Sequence, residues 1–352
     1  MQADSLIAAH RGALGNPANR FEAIRLEPDA DWNPDEDPLP RTQFLRDHSV
    51  SIIAWNDSPD LGFNASLNPY RGCEHGCVYC YARPTHEYLG FSSGLDFETK
   101  IMVKENAAQL LRAELESPKW QPQIIVMSGN TDCYQPVERK LKITRACLEV
   151  LAEFRNPVSL ITKNALVTRD IDMLADLARH HAASVCLSIT SLDPELRRVM
   201  EPRTSPAAAR LGAIRQLAAA GIRVSVNVAP IIPGLNDHEI PAILQAAAEA
   251  GATGAGFTIL RLPHANTELF VQWLATHYPH RKDKVLNQLR TMRDGKLYDA
   301  QWGSRMKGEG LFAEQIQRIF DVARRKAGIK NDQPPLSTAA FRRPGGVQMK
   351  LF

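Results

Sequence analysis

Short apolar runs recur along the middle of the chain, each followed by a stretch with helical spacing. Ala65-Ser66-Leu67-Asn68 is the first run, and a helix predicted from about Lys104 to Glu116 carries Leu110, Leu111 and Leu115 as its stripe. Ile124–Met127 reads as a second strand, followed by a helix with Leu141, Cys147, Leu148 and Leu151 inward. Val158–Thr162 precedes a helix through Ile171, Leu174 and Leu177, and Ser184–Ile189 precedes a helix from about Pro206 to Ala220. Val224–Val228 and Gly256–Leu260 complete the series, with another helix between them. Continuous apolar strands alternating with helices predict βαβ units and a parallel sheet. Six such units fit an α/β fold, a partial and open (βα)6 TIM-like barrel. In barrels of this kind chemistry collects on the loops that follow the strands.

The flanks read differently. Residues 1–60 form an irregular N-terminal extension, with the acidic, proline-broken Asp29–Pro38 as a linker or surface wrap. Within it Asn16-Pro17-Ala18-Asn19-Arg20-Phe21-Glu22 sets turn formers before a helix-like run, without evident chemistry. The barrel is expected over 61–275. A helical C-terminal appendix follows over 276–329, with Leu286, Leu289, Phe312, Ile316, Ile319 and Phe320 facing inward. Residues 330–352, rich in proline and glycine, read as a flexible tail.

Charge sharpens this division. The net charge is only +3, but from Arg281 onward sixteen Lys or Arg face seven Asp or Glu, a net of +9 on a body of −6. A basic C-terminal part suits a polyanion such as DNA, or it is an ordinary solvated helical surface. No run of eighteen apolar residues occurs, so no membrane span is expected, and the first residues make a poor signal peptide.

Cys73-Glu74-His75-Gly76-Cys77-Val78-Tyr79-Cys80 places three of the six cysteines at C-x3-C-x2-C spacing, directly after the first strand. Three thiolates so close converge on one soft metal centre. A closed structural zinc site needs four protein ligands, and His75 or His86 would then supply the fourth. A four-iron cluster held through three irons keeps one iron open. Cys133, Cys147 and Cys186 are far apart and read as reduced thiols, which places the protein in the reducing cytoplasm.

The cysteine spacing, with aromatic Tyr79 before the last cysteine, resembles the signature of the radical S-adenosylmethionine (SAM) superfamily. The resemblance implies a [4Fe–4S] cluster on Cys73, Cys77 and Cys80, whose open iron chelates the SAM amine and carboxylate. It also implies an electron donor and reductive cleavage of SAM to a 5′-deoxyadenosyl radical that abstracts hydrogen. Tyr79 would pack beside cluster and adenine. Ser128–Asp132 ends the second strand, where Gly129 would let the backbone approach and Asp132 would accept from the SAM ammonium; alternatively Asp132 caps the next helix. Lys163, after the third strand, would meet the SAM carboxylate or a substrate phosphate. Ser188 and Thr190 would touch the ribose, and Asn227 would lie near adenine. Arg203 and Arg261 are further cations at the strand ends.

Asn68–Cys73, Tyr81-Ala82-Arg83 and Thr131–Glu138 resemble a narrower group, the spore photoproduct lyase-like branch of radical SAM proteins. The resemblance covers roughly residues 68–263 and implies repair-like chemistry on DNA. In the lyase a cysteine returns hydrogen to the product radical, and Cys133 is the candidate here; a small residue without that role is the alternative. Gln348-Met349-Lys350-Leu351-Phe352 resembles the bacterial sliding-clamp binding peptide. Leu351 and Phe352 would fill one apolar pocket and Met349 a second, with Gln348 hydrogen-bonding at the rim; alternatively this end docks on its own chain.

Overall fold

A computed structural model describes residues 11–22 and 41–344. The expected wrap at Asp29–Pro38 and the clamp-like Gln348–Phe352 lie outside those residues. The main sheet has seven strands in the order β10-β9-β8-β7-β6-β3-β2. They are β2 (Ile53–Trp55), β3 (Ala65–Leu67), β6 (Ile125–Met127), β7 (Val158–Thr162), β8 (Ala183–Ser188), β9 (Arg223–Ile231) and β10 (Gly254–Ile259). The six from β3 to β10 pair in parallel, and β2 adds to the β3 edge antiparallel. This is the expected open α/β barrel.

Amphipathic helices cover its outside. Helix Ala107–Glu116 buries Ala107, Leu111 and Leu115, and helix Ile143–Phe154 buries Cys147, Leu148 and Leu151. Each set repeats at three or four residues, the spacing that keeps side chains on one helix face. Burial of such side chains contributes about 1.5–3 kcal/mol each. The strands alternate more than their composition suggests. In β7, Val158, Leu160 and Thr162 are buried, while Ser159 and Ile161 are half-buried. Lys163 shares the Ser159 and Ile161 face by the two-residue period of a strand, and Ile161 and Lys163 both line a central cavity. Near the strands' N-terminal ends Ser159 and Ser184 on this face bond to each other, and at the C-terminal ends the polar Ser188, Asn227 and Thr258 line the cavity.

The extension expected to be irregular is partly strand. β1 (Gln43–Arg46) pairs in parallel with β5 (Lys100–Val103), and β5 pairs antiparallel with β4 (Tyr70–Arg71), forming a second, three-stranded sheet. β1 shows no buried face. Its residues therefore carry no alternation, and backbone pairing to distant residues holds it.

Helices Asn266–His277, Pro279–Thr291 and Gly310–Lys326 follow the barrel. The last packs on helix Ile240–Glu249 and buries Ile316 and Phe320, the latter against Phe257 of β10, whereas Phe312 and Ile319, expected inward, are exposed. No helix among the described residues is long and apolar enough to cross a membrane.

Residues 331–344, expected as part of a flexible tail, instead run along the body. Asn331 exchanges two hydrogen bonds with the Ala255 backbone at 2.7 and 2.8 Å, covering the outer edge of β10. The Ser337 amide donates to His181 at 2.9 Å, and Phe341 packs beside Phe154. Arg343 donates to the carbonyls of Leu115, Ser117 and Trp120 at 3.0–3.2 Å, where helix Ala107–Glu116 has run out of amide partners. Arg343→Ala is expected to lower stability by about 1–2 kcal/mol and to speed tryptic cleavage of this strap. An unchanged urea midpoint and cleavage rate would remove its anchoring role.

Candidate functional site

The cysteine loop leaves β4 and turns twice in the left-handed region, at Gly72 (φ +81°) and Gly76 (φ +67°). The N-terminal segment presses against it, since a Cβ on Gly12 would meet the Gly76 carbonyl at 1.6 Å. Behind the loop Glu98 and Arg83 form a fully buried ion pair at 2.5 Å. Glu98 also accepts from the amides of Gly12 and Ala13 at 3.1 and 2.8 Å, and Arg83 Nε donates to the Cys77 carbonyl at 2.9 Å. On the opposite flank Gln135 donates to the Gly72 carbonyl at 3.1 Å and accepts from the Glu74 amide at 2.9 Å. The Glu74 carboxylate holds Arg203 and the Val137 amide at 2.8 and 2.6 Å.

These contacts fasten Asn68–Cys73 to Thr131–Glu138. The Asn68 side chain receives the amides of Asn130 and Thr131, the Thr131 hydroxyl donates to the Tyr70 carbonyl, and the Tyr70 hydroxyl donates to Glu138 at 2.5 Å.

Cys73, Cys77 and Cys80 all line one cavity of about 310 Å³ at the C-terminal ends of the strands. Burial and, for Cys73, the neighbouring Asp132 and the other two thiols push their protonation upward. A cationic centre at this point would hold them as thiolates. Of the two imidazoles proposed as a fourth zinc ligand, His75 lines the cavity with both ring nitrogens engaged, and His86 lies outside the cavity lining. The His75 ring nitrogens face Asp132 and Asn164, each at 3.3 Å. His86 Nε2 contacts the Lys100 carbonyl at 2.9 Å, and its ring packs on Phe91 and Phe97 away from the cavity. The donor set therefore suits a centre with three thiolate ligands and one open position better than closed zinc.

Tyr79, Gly129, Asp132, Lys163, Ser188, Asn227 and Arg261 line the same cavity. The Tyr79 hydroxyl donates to Glu201, which also accepts from Thr190 and Arg210 at 2.5 Å each. Lys163 Nζ lies 5.8 Å from the centre of the Tyr79 ring. Burial opposes its charge, but the electrostatic influence of neighbouring Cys77 and Glu201 outweighs that and raises it.

Four expectations need correction. Cys133 is fully buried in the main core and lines no part of the cavity; its carbonyl accepts from Thr144 at 2.6 Å, so this loop turns its thiol inward. Cys73, Cys77 and Cys80 are the only thiols lining the cavity among the described residues. Thr190 is committed to Glu201 and the Ala229 carbonyl and lines no part of the cavity. Arg203 pairs with Glu74 behind the cysteine loop. Asp132 reaches the cavity, but its two oxygens already meet His75, the amides of Lys163 and Tyr134, and the Thr162 hydroxyl. An ionised carboxylate has about four lone-pair sites, so Asp132 braces the loops rather than receiving an ammonium.

The upper rim holds residues the sequence did not signal. The hairpin loop between β2 and β3 brings Leu61 and Phe63 to the cavity, and Arg305 and Met306 approach from the other end of the sheet. Asp60 accepts from Arg305 at 2.5 Å and from the Gly303 amide at 2.7 Å, so the two ends of the curled sheet touch. Nothing local in sequence links positions more than two hundred residues apart.

The fold is an open barrel of parallel strands with three thiols lining the cavity at its upper mouth. The pattern of the Radical SAM superfamily matches residues 67–247, just over half of the chain, and the chain belongs to that superfamily. It is therefore an enzyme of the radical SAM class. An uncharacterised protein of Mycobacterium tuberculosis is 40% identical over 221 residues, covering 62% of this chain and 65% of that relative's length, just under two thirds. An uncharacterised protein of Methanocaldococcus jannaschii is 31% identical over 49% of this chain and 62% of its own length. Among solved structures, a spore photoproduct lyase mutant superposes with a TM-score of 0.54 at 19% identity, covering 81% of this chain and 78% of that one. The same lyase complexed with dinucleoside spore photoproduct gives 0.53 at 17% identity, with coverage of 81% and 78%. At these identities the likeness is one of fold.

Two outcomes follow from the buried carboxylates and thiols. Burial raises the carboxyls of Asp132 and Glu201, but His75 with its hydrogen-bonded neighbours, and Arg210 with Lys163, outweigh it and hold both at about 2, below their ordinary 3.8 and 4.5. The folded chain thus binds fewer protons than the unfolded chain between those values. The stabilisation is complete above about pH 5 and is lost as the pH falls towards 2. Glu201→Gln should cost about 3–5 kcal/mol at neutral pH, because Arg210 is left buried without its counter-charge. It should also flatten the acid side of the stability profile from urea titrations; an unchanged acid slope would contradict this. Cys133→Ala should cost about 1–2 kcal/mol and leave iron loading and turnover intact; loss of product with intact SAM cleavage would restore its expected role.

Proposed function

We propose that this enzyme uses Cys73, Cys77 and Cys80 to hold a [4Fe–4S] cluster and acts on DNA in a repair-like reaction. The observation that supports the cofactor assignment is that all three thiols line one cavity, in which the ring nitrogens of His75 are already paired with Asp132 and Asn164, while His86 lies outside it. Held there beside SAM, such a cluster would supply one-electron reducing chemistry for cleavage of the sulfonium bond, the source of the radical reactivity.

The chain's own residues position and shield. Lys163 stands at the cavity wall near the cysteines and offers its ammonium to the SAM carboxylate. Tyr79, fixed by Glu201, gives an aromatic wall beside the cofactor. Ser188 and Asn227 line the cavity from β8 and β9 and suit the ribose and adenine. Gly129 lies on the rim, where its carbonyl accepts from the Tyr81 hydroxyl at 2.6 Å. The apolar rim residues Leu61 and Phe63, with the Asp60–Arg305 contact, narrow the mouth and limit water.

DNA is supported by the basic C-terminal part and by the lyase of like fold, whose solved complex contains a dinucleoside photoproduct. Gln348, Met349, Leu351 and Phe352 would tether the enzyme to a bacterial sliding clamp, and a cytoplasmic electron donor would reduce the cluster. Hydrogen return to product is assigned to no cysteine of this chain.

The test is anaerobic incubation of the reconstituted enzyme with SAM, a reductant and oligonucleotides carrying deuterium at defined sugar and base positions. Label in 5′-deoxyadenosine with DNA, and none with RNA or peptide, is expected. The Cys77→Ala variant should lose the brown colour and all SAM cleavage. Label arising only from RNA or a peptide would overturn the DNA assignment.

A further inference from the structure

Two cations line the cavity without a carboxylate partner among the described residues, Lys163 and Arg261. Arg305, the third, is taken by Asp60. SAM carries one carboxylate, and Lys163 suits it, since Lys163 lies near the cysteines. Arg261 follows β10 at the mouth. Its guanidinium carbon sits 5.4 Å from the centre of the Tyr81 ring, and Nη1 reaches only the Met306 sulfur at 3.3 Å. A thioether is a weak acceptor. Nε is buried without any acceptor. An arginine short of acceptors at a cavity wall is costly unless an anion completes it.

The acids nearby do not complete it. Asp60 is held by Arg305 and the Gly303 amide, and Asp299 by the Ser304 hydroxyl and the Gln301 amide. Buried Arg293 adds a further positive charge beside Arg261; its two Nη atoms donate to the Leu297 and Leu260 carbonyls, while its Nε, which does not line the cavity, is also without an acceptor. The same mouth carries aromatic surface from Phe63 and from Tyr81, which is 46% exposed. An arginine beside open aromatic rings is the pairing that takes a phosphate and stacks its base.

We propose that Arg261 is the seat for a substrate phosphodiester, with Tyr81 and Phe63 flanking the attached base. This deepens the DNA reading above and rests on it. Arg261 would fix which nucleotide enters the cavity, and Lys163 would remain with the cofactor.

The test uses the cluster-loaded full chain and two thymine dinucleotides, one with a phosphodiester and one with a neutral methylphosphonate linkage. Wild type is expected to bind the phosphodiester roughly tenfold or more tightly. Arg261→Gln should abolish that preference, Arg261→Lys should keep most of it, and SAM binding should be equal in all three. Retention of the full preference by Arg261→Gln would overturn the proposal. So would equal binding of both dinucleotides by wild type, or loss of SAM binding in Arg261→Gln, which would assign the residue to the cofactor. An acidic hexapeptide is the third arm. If it alone binds, and only with Arg261 present, the anion seat stands while the phosphodiester and the DNA reading both fail. If none of the three probes binds, the seat itself is refuted.

Discussion

Three thiols must be brought to one point by a loop too short to fold on its own. The loop from Cys73 to Cys80 has almost no internal hydrogen bonding beyond tight turns, so its shape is imposed from outside. The buried Arg83–Glu98 pair grips it from one side and Gln135 with Glu74 from the other. A buried ion pair contributes little net stability by itself, but removing either partner leaves an uncompensated charge and costs several kcal/mol. Such a pair therefore fixes geometry more than it adds to stability. Arg83 links it to the cysteine loop directly, because its Nε ends on the carbonyl of Cys77.

The open barrel serves the same requirement at larger scale. A closed barrel of parallel strands fills its lumen with packed side chains. Here six parallel strands and one antiparallel edge curl until Asp60 and Arg305 meet across the seam, and small polar residues line the inner face. The result is a cavity wide enough for a nucleoside-sized cofactor. Its walls carry two separate cations without a salt bridge among the described residues, Lys163 near the thiols and Arg261 at the mouth. Glu201 ties the layers together, since it holds Tyr79 in the cavity wall, Arg210 behind it and Thr190 beneath.

Much of this was legible in the sequence because it is local. The βα alternation, the cysteine spacing and the strand-end positions of Gly129, Lys163, Ser188, Asn227 and Arg261 all follow from periods of two and about three and a half residues. What was not legible depends on side-chain direction or on distant pairing. Cys133 and Thr190 lie at strand ends too, but their side chains turn into the core. Asp132 reaches the cavity with its acceptor capacity already filled. β1 has no apolar alternation to reveal it, and the strap over residues 331–344 has a composition typical of mobile tails while being held by carbonyls that only the folded body presents. The cysteines were readable as a set; the groups that hold them, such as Glu98 and Gln135, carry no spacing signal.

The central claim is that three protein thiolates hold an iron centre with one position left open. Mössbauer spectra of the full chain, reconstituted anaerobically with isotopically enriched iron, test this most directly when recorded with and without SAM. The account predicts a four-iron cluster in which one iron changes its signal on SAM addition and the rest do not. Tightly bound zinc in place of iron, or a cluster whose irons are all indifferent to SAM, would contradict it.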